Sequence, residues 1–138
     1  MTGLIVKKKC LIVDDDVAAC FMLKVTLEEH FTCDIAINGE KALCSFDKAR
    51  QDGAAYCLIC LDLNMPDMNG LDVLKHIRET ESASAQQPDQ ETKVVVISSD
   101  NTPATVLNTF FAGGASSYIT KPVKRQKLLE ELKKLELI

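Results

Sequence analysis

The 138-residue chain predicts a single α/β domain built on a largely parallel sheet. Short apolar runs rich in β-branched residues alternate with longer segments of helical periodicity, which is the pattern of repeated β-then-α units. Two runs, at 56–61 and 93–98, are apolar over nearly their whole length, as central strands covered on both faces are. The hydrophobic content of 46% is enough for one core. We therefore expect residues 1–138 to form one domain, with a core spanning about 7–137.

Strands and helices are predicted in strict alternation along the chain. The five strands are expected at 9–13, 32–37, 56–61, 93–98 and 117–120. The five helices are expected at 16–30, 40–50, 70–80, 104–112 and 124–137. The second strand carries Asp34 and is therefore assigned to an edge of the sheet. Gly113 and Gly114 end the fourth helix.

Apolar residues at helical spacing place the third and fifth helices against the core. They are Leu71, Leu74 and Ile77 in the third helix and Leu128, Leu129, Leu132 and Leu135 in the fifth. Leu137 and Ile138 are expected to fray at the chain end. The segment 79–92 is polar and lacks aliphatic periodicity, which predicts a mobile surface loop rather than a domain boundary.

Charge and composition exclude several classes of function. A net charge of -4 and a pI near 5.2 argue against a nucleic-acid surface, which needs clustered Lys and Arg. No stretch is apolar enough to span a membrane, and no membrane association is expected. The six cysteines lie in apolar runs with no signal peptide before them. That usage favours a reducing, cytoplasmic location over a disulfide scaffold.

Cys57 and Cys60 form a CxxC pattern. On a strand, residues three apart point to opposite faces, so this pair is not expected to share a metal or a disulfide. We interpret both as small core residues. His30 and His76 have no cysteine or carboxylate at ligand spacing, and no metal role is expected for either.

Chemically reactive side chains follow four of the five predicted strands. They are Asp14 and Asp15 after the first strand, Asp62 after the third, Ser98 after the fourth and Lys121 after the fifth. The carboxyl ends of parallel strands share one edge of a sheet, so these groups are expected to converge. Each alone is more often a helix cap, a turn residue or a solvated charge. Their joint occurrence at strand ends favours a functional site.

Three converging carboxylates would raise one another's pKa values unless a cation lay among them. Oxygen ligands that leave positions for water and phosphate oxygens are typical of Mg²⁺. An aspartate can attack phosphorus and form an acyl phosphate. Lys121 and Ser98 would then bind the phosphoryl oxygens through an ammonium group and a hydroxyl. Asp16 is predicted instead to cap the first helix, where the helix dipole favours an anion.

Taken in order, these motifs resemble the receiver domain of two-component response regulators over nearly the whole chain. The residues that carry the resemblance are Asp14-Asp15, Asp62-Leu63-Asn64-Met65-Pro66 with Gly70, then Ser98, Tyr118 and Lys121-Pro122. The resemblance implies a CheY-like, flavodoxin-like (βα)5 fold with a doubly wound five-stranded sheet of order 2-1-3-4-5. It also implies a cis peptide bond between Lys121 and Pro122.

The resemblance further implies a role for each matched residue. Asp62 would accept the phosphoryl group, and Mg²⁺ would be held by Asp14, Asp15, Asp62 and the main-chain carbonyl of Asn64. We expect Asp15 to be a direct ligand and Asp14 to act mainly through water.

Ser98 and Lys121 are the expected catalytic partners of the phosphoacceptor. Ser98 and Tyr118 would also form a switch, in which the hydroxyl moves toward the phosphoryl group and the ring turns inward. That movement would alter the face formed by the fourth helix, fifth strand and fifth helix. A static, half-buried Tyr118 is the alternative.

The first helix carries two apolar stripes, only one of which can face the sheet. One stripe holds Ala19, Met22, Leu23 and Leu27, and the other holds Val17, Phe21 and Val25. An exposed band here is where the helical bundle of a histidine kinase or histidine phosphotransfer protein should dock. We expect Phe21 to be the anchor, with Val25 beside it. Cover by the chain's own termini is the alternative.

We therefore expect a phosphoacceptor regulator of two-component or phosphorelay signalling that catalyses only its own phosphotransfer and autodephosphorylation. It is expected to stand alone, as a monomer or weak dimer, and to act on an unknown effector protein. One alternative is an unphosphorylated binding module of the same fold. Another is a phosphatase of the haloacid dehalogenase type, although Val17 follows the first acids where that class has Thr. A flavodoxin is disfavoured because no Gly-rich phosphate loop follows the first strand.

Overall fold

Five parallel strands form one sheet in the computed structural model, which describes residues 7–84 and 91–138. The strands are β1 (Lys8–Val13), β2 (Phe31–Ala36), β3 (Leu58–Asp62), β4 (Lys93–Ser98) and β5 (Ser117–Thr120). Their order is β2-β1-β3-β4-β5, with every neighbouring pair parallel. The predicted fold class and the edge position of β2 are confirmed.

Five α-helices connect or follow these strands in the described ranges. They are α1 (Val17–Leu27), α2 (Gly39–Gln51), α3 (Gly70–Ala83), α4 (Pro103–Asn108) and α5 (Arg125–Lys134). None of them is both long and apolar enough to cross a lipid bilayer.

Each face of the sheet has its own core layer, because successive strand residues point to opposite sides. Leu11 and Val13 belong to the layer beneath α2 and α3, where Phe46 is buried. Cys10 and Ile12 belong to the layer beneath α1 and α5. The two layers cover both faces of the sheet. The loop edge of the sheet, where the carboxyl ends of the strands lie, remains available for polar residues.

The fourth helix differs from the prediction of a single helix over 104–112. α4 ends at Asn108 and continues as a π-helical turn over Thr109–Gly113. Gly114 closes this turn in the left-handed conformation, with φ of 78°. The wider turn leaves Phe111 85% exposed.

The third helix runs past the predicted end at residue 80 to Ala83, so the predicted loop over 79–92 is wrong at its start. Glu81 explains the extension, because its buried carboxylate accepts hydrogen bonds from Arg78 and from the main chain of Thr92. The part of that loop at 85–90 lies outside the described residues.

The chain end does not fray as expected. Leu137 N–H donates to Leu132 O at 2.9 Å, and both Leu137 and Ile138 contact the core layer beneath α1 and α5. Within α5 only Leu128 and Leu132 are fully buried; Leu129 and Leu135 lie at the margin of that layer.

Two further expectations need correction. Met22 was grouped with the inward stripe of α1, but it is 73% exposed, and Cys20 takes the inward position instead. Cys57 and Cys60 were placed on opposite faces, yet both contact the layer beneath α1 and α5. Strand alternation does not apply to Cys57, since it precedes β3. It is half-buried, whereas Cys60 is a buried core residue as predicted.

Candidate functional site

Asp62 is the last residue of β3, a strand that is buried along its whole length. The residue is only 5% exposed, and its Oδ1 accepts a hydrogen bond from the Asn64 main chain at 3.2 Å. Gly70, where α3 begins, lies against this strand end. A Cβ atom there would collide with the carbonyl oxygen of Asp62 and lie 2.6 Å from Leu63 Cα. The close approach of strand and helix therefore requires glycine.

Two more carboxylates lie at the end of β1. Asp14 is 3% exposed, and its Oδ1 accepts the main-chain N–H of Asp16 at 2.9 Å. Asp15 is exposed. Asp16 turns away to cap α1, where its Oδ1 accepts from the main chains of Ala18 and Ala19. The predicted capping role of Asp16 is confirmed.

Lys121 brings a positive charge to these acids from the end of β5. Its Nζ donates to Asp14 Oδ2 at 3.1 Å and lies 3.7 Å from Asp62 Oδ2. The Lys121 main-chain N–H donates to Ser98 O, which ties this loop to the end of β4. The Lys121–Pro122 peptide bond is cis, as the sequence resemblance implied.

Burial and charge shift the pKa values of both ends of this ion pair. Burial raises the pKa of the Asp62 carboxyl, and repulsion by Asp14 adds to it, although the Asn64 N–H and Lys121 act in the opposite direction. Partial burial lowers the pKa of Lys121. The hydrogen bond to Asp14 and the attraction of Asp62 outweigh it, so the net shift is upward. The site therefore holds a charged ammonium beside a carboxylate in need of neutralisation.

Ser98 lies at the end of β4 and is fully buried. Its Oγ accepts hydrogen bonds from the Asn64 side-chain amide at 3.3 Å and from the Asp100 N–H at 3.1 Å. Tyr118, on β5, is half-buried and donates its hydroxyl to the Asp100 carbonyl oxygen. A chain of contacts thus connects Asn64, Ser98, Asp100 and Tyr118 along the loop edge.

The acidic residues fit a hard divalent cation. Asp14, Asp15 and Asp62 can each present an oxygen such that all three lie within 4.8 Å of one another. Among residues 7–84 and 91–138, Lys121 is the one basic residue in an ion pair with these acids. Two of the three carboxylates are buried, and electrostatic repulsion between like charges is most unfavourable in a buried site. Oxygen ligands crowded in this way suit Mg²⁺.

The predicted docking residues lie on the exposed face of α1, and Met22 on the same helix lines a pocket together with Asp14 and Lys121. Val17, Phe21, Met22 and Val25 are between 52% and 73% exposed. Phe21 and Val25 are thus available to a partner, and Met22 extends the same apolar surface.

Sequence reasoning missed Asp67, which lies in the loop between β3 and α3. Its carboxylate accepts from the main chains of Gly39 and Glu40 and so caps α2 from another loop. An acid directly after Pro66 in a turn was the signal, but nothing in the sequence identified α2 as its partner. The hydrogen bond from the Asn64 side-chain amide to Ser98 Oγ was likewise not predicted.

With this geometry established, comparisons with known proteins identify the family. A model of the response regulator receiver domain matches residues 10–133. The chain belongs to this family. Its members are phosphoacceptors in two-component signalling, bind Mg²⁺ at an acidic pocket, and interact with histidine kinases and effectors. The matched range contains Asp14, Asp62 and Lys121.

Relatives of very different size share this similarity. The chemotaxis protein CheY of Thermotoga maritima is 30% identical over 93% of this chain and 97% of that protein. The sensory/regulatory protein RpfC of Xanthomonas campestris is 33% identical over 90% of this chain, which spans only 16% of RpfC. The cell cycle transcriptional regulator CtrA of Caulobacter vibrioides is 29% identical, and the chain spans 48% of it.

Solved structures show the same architecture. The chemotaxis protein CheY4 of Vibrio cholerae superposes with a TM-score of 0.78 at 26% identity, covering 94% of this chain and 98% of that one. The response regulator TrrA of Thermotoga maritima, solved in complex with Mg(2+)-BeF, gives 0.73 at 31% identity, with coverage of 93% and 98%. The flavodoxin-like receiver fold is therefore shown.

Proposed function

We propose that Asp62 is the residue through which this receiver domain accepts a phosphoryl group from phosphohistidine. The observation that carries the proposal is the approach of Lys121 Nζ to within 3.7 Å of Asp62 Oδ2 in a pocket walled by two other acids. A buried carboxylate facing an ammonium group at the loop edge of a parallel sheet is placed for attack on phosphorus.

The transfer is balanced in atoms and charge. A carboxylate oxygen of Asp62 attacks phosphorus, the phosphorus–nitrogen bond of the donor breaks, and its electron pair returns to the imidazole ring. Lys121 neutralises one phosphoryl oxygen, and the Ser98 hydroxyl donates to another once its present bonds to Asn64 and Asp100 are released. The same groups serve hydrolysis by water, and no other substrate is turned over.

Mg²⁺ belongs in this proposal as a cofactor held by Asp15, Asp62 and the Asn64 main-chain carbonyl, with Asp14 acting through water. Both Asp14 oxygens are already engaged, one by Lys121 and one by the Asp16 N–H. The exposed Asp15 carboxylate accepts no hydrogen bond from the protein within 7–84 and 91–138, which leaves it available as a direct ligand. When bound, the ion would neutralise the charge that develops on the phosphoryl oxygens.

The switch follows from the contacts of Ser98 and Tyr118. Movement of Ser98 toward phosphorylated Asp62 would empty space at the end of β4, and the half-buried Tyr118 ring lies on the neighbouring strand. Its inward turn would break the bond to the Asp100 carbonyl and alter the surface of α4, β5 and α5. An effector protein would read that surface by noncovalent contact.

The donor is proposed to dock on the outer face of α1. Phe21 is 56% exposed and Val25 62%, one helical turn apart. An apolar band of this kind suits the helical bundle of a histidine kinase or histidine phosphotransfer protein. The six free thiols accord with a cytoplasmic location. We propose that the chain acts as one receiver domain, as a monomer or weak dimer.

The decisive experiment is labelling with acetyl phosphate and Mg²⁺, read by intact mass. The native chain should gain about 80 Da, the mass of one phosphoryl group. Asp62→Asn should gain nothing, while Asp72→Asn, at an exposed acid in the first turn of α3, should label like the native chain. A native chain that stays unlabelled while folded would instead support the unphosphorylated binding module.

A further inference from the structure

Three cysteines share one face of the sheet on three neighbouring strands. Cys10 in β1 is the register partner of Cys33 in β2, and Cys60 lies in β3 opposite Ile12. Cys10 and Cys60 are buried in the core layer beneath α1 and α5, and Cys33 contacts the margin of that layer. The Cys33 thiol donates to the main-chain oxygen of Phe31 at 3.8 Å. We call these three residues the cysteine row.

The cysteine row is not arranged as a metal cage. Within the described ranges 7–84 and 91–138, the only set of three or more candidate ligand atoms within 4.8 Å of one another is that of Asp14, Asp15 and Asp62. The three sulfurs therefore act pairwise, with Cys10 in the middle.

Cys33 differs from the other members of the row in access and in charge. It lies on the edge strand and is half-buried, whereas Cys10 is fully buried. The neighbouring Cys10 thiol lowers the pKa of the Cys33 thiol; Lys24 adds to this effect, while burial, Glu28 and Asp34 oppose it. Since the thiolate is the reactive form, Cys33 is the member that a small oxidant reaches first.

The register of β1 and β2 selects the partner of Cys33. Neighbouring strands lie about 4.8 Å apart, and disulfides join Cα atoms separated by roughly 4.4 to 6.8 Å. Cys10 and Cys33 are direct register partners, so their side chains leave the same face of the sheet at the same level. Cys60 is offset along β3, because Cys10 pairs there with Leu58.

We propose that Cys33 and Cys10 form a peroxide-sensitive pair that closes to an intramolecular disulfide. The Cys33 thiolate attacks one oxygen of hydrogen peroxide and the O–O bond breaks, giving a sulfenic acid and hydroxide. The hydroxide takes up the proton that the Cys33 thiol released and becomes water. The Cys10 sulfur then attacks the Cys33 sulfur, the S–O bond breaks, and a second water leaves with the Cys10 proton. Two thiols are oxidised and one peroxide is reduced to two waters. A small dithiol restores both thiols by exchange.

The test treats the folded, reduced native chain with hydrogen peroxide, then blocks free thiols by alkylation under denaturing conditions. We expect a loss of about 2 Da before alkylation, two of the six thiols protected from it, and a cross-linked peptide pair containing Cys10 and Cys33. Dithiothreitol should reverse all three signals. Cys33→Ser should abolish them, and Cys44→Ser, at an exposed cysteine outside the row, should leave them unchanged.

Three outcomes would overturn the proposal. They are oxidation confined to Cys44, accumulation of sulfinic acid on Cys33 without the cross-linked pair, and protection of two thiols in Cys33→Ser as in the native chain. Circular dichroism of each variant establishes that the comparison is made between folded proteins.

Discussion

The side-chain amide of Asn64 donates a hydrogen bond to Ser98 Oγ at 3.3 Å. The Asp100 N–H donates to the same oxygen at 3.1 Å, so two donors hold the hydroxyl of a fully buried serine. Any movement of Ser98 toward Asp62 must break these bonds, each of which is worth about 1 kcal/mol. In the proposed switch, the Asn64 amide would thus hold Ser98 in the unphosphorylated arrangement.

Removing that restraint should favour the activated arrangement. Asn64→Ala keeps the main-chain groups of residue 64, including the N–H bonded to Asp62, and deletes only the amide that holds Ser98. We expect roughly fivefold tighter binding of beryllium fluoride, a stable phosphoryl mimic, in the presence of Mg²⁺. The Ser98 amide resonance reports the titration. Asn108→Ala, an exposed residue at the end of α4, is the control; identical midpoints in all three proteins would contradict the prediction.

The exposed surface of α1 should affect the rate of phosphorylation only when the donor is a protein. Phe21→Glu places a charge in the exposed apolar band and should slow phosphotransfer from a phosphorylated histidine protein about tenfold or more, since buried aromatic anchors dominate interface energies. Labelling by acetyl phosphate should not change. Phe111→Glu, at an exposed phenylalanine of the π-helical turn, should leave both rates unchanged. If Phe21→Glu slows phosphorylation by both donors equally, the substitution acts on the phosphorylation site and not on docking of the protein donor.

Gly70 should be the least replaceable of the described glycines near the site. A methyl group there meets the main chain of Asp62 and Leu63, which cannot move without shifting β3. Gly70→Ala should therefore cost about 3 kcal/mol of unfolding free energy and also reduce labelling of Asp62. Gly53→Ala meets no atom within 4 Å and should cost about 1 kcal/mol through its positive φ alone, with labelling unaffected. Urea denaturation measures the unfolding free energy of both variants. Comparable losses of unfolding free energy in Gly70→Ala and Gly53→Ala would refute the steric argument.

Glu131 should make stability depend on pH. A hydrogen bond from Ser117 lowers the pKa of its carboxyl to about 2, and Lys134 and Lys127 add to the effect. The pKa of this carboxyl is lower in the folded protein than its value near 4.5 in the unfolded chain. The ionised carboxylate therefore stabilises the fold fully at pH values above 4.5, and this stabilisation is lost as the pH falls toward 2. Glu131→Gln should thus be less stable than the native chain at pH 7, and the difference should narrow steadily below pH 4.5 in urea titrations. A difference that does not vary with pH would rule out the charge as its source.

The strand ends were predictable because continuous apolar runs that stop at polar residues and alternate with helical periodicity are typical of buried parallel strands. Asp14, Asp62, Ser98 and Lys121 were located by that reasoning before any geometry was known. The π-helical turn at 109–113 was not predictable, because the same apolar spacing also suits an ordinary α-helix.

Tertiary contacts account for the other differences. The end of α3 depends on Glu81 meeting the main chain of Thr92, eleven residues later. The position of Leu137 depends on a bond back to Leu132. The Asn64 amide could have pointed to solvent, and only the approach of β4 supplies Ser98 as its acceptor. Such pairings join segments whose proximity no local pattern encodes.

In the proposed function, phosphoryl transfer and partner recognition depend on different parts of the fold, whose strand order is β2-β1-β3-β4-β5. Every group proposed to touch phosphorus comes from the loop edge of the sheet, whereas Phe21 and Phe111 project from outer surfaces of the helical layer. Substitutions on those surfaces can change which proteins are recognised without moving a reacting atom. A gene duplicate of this chain could therefore acquire a new upstream donor or a new downstream target through a few surface changes, while its chemistry is inherited intact.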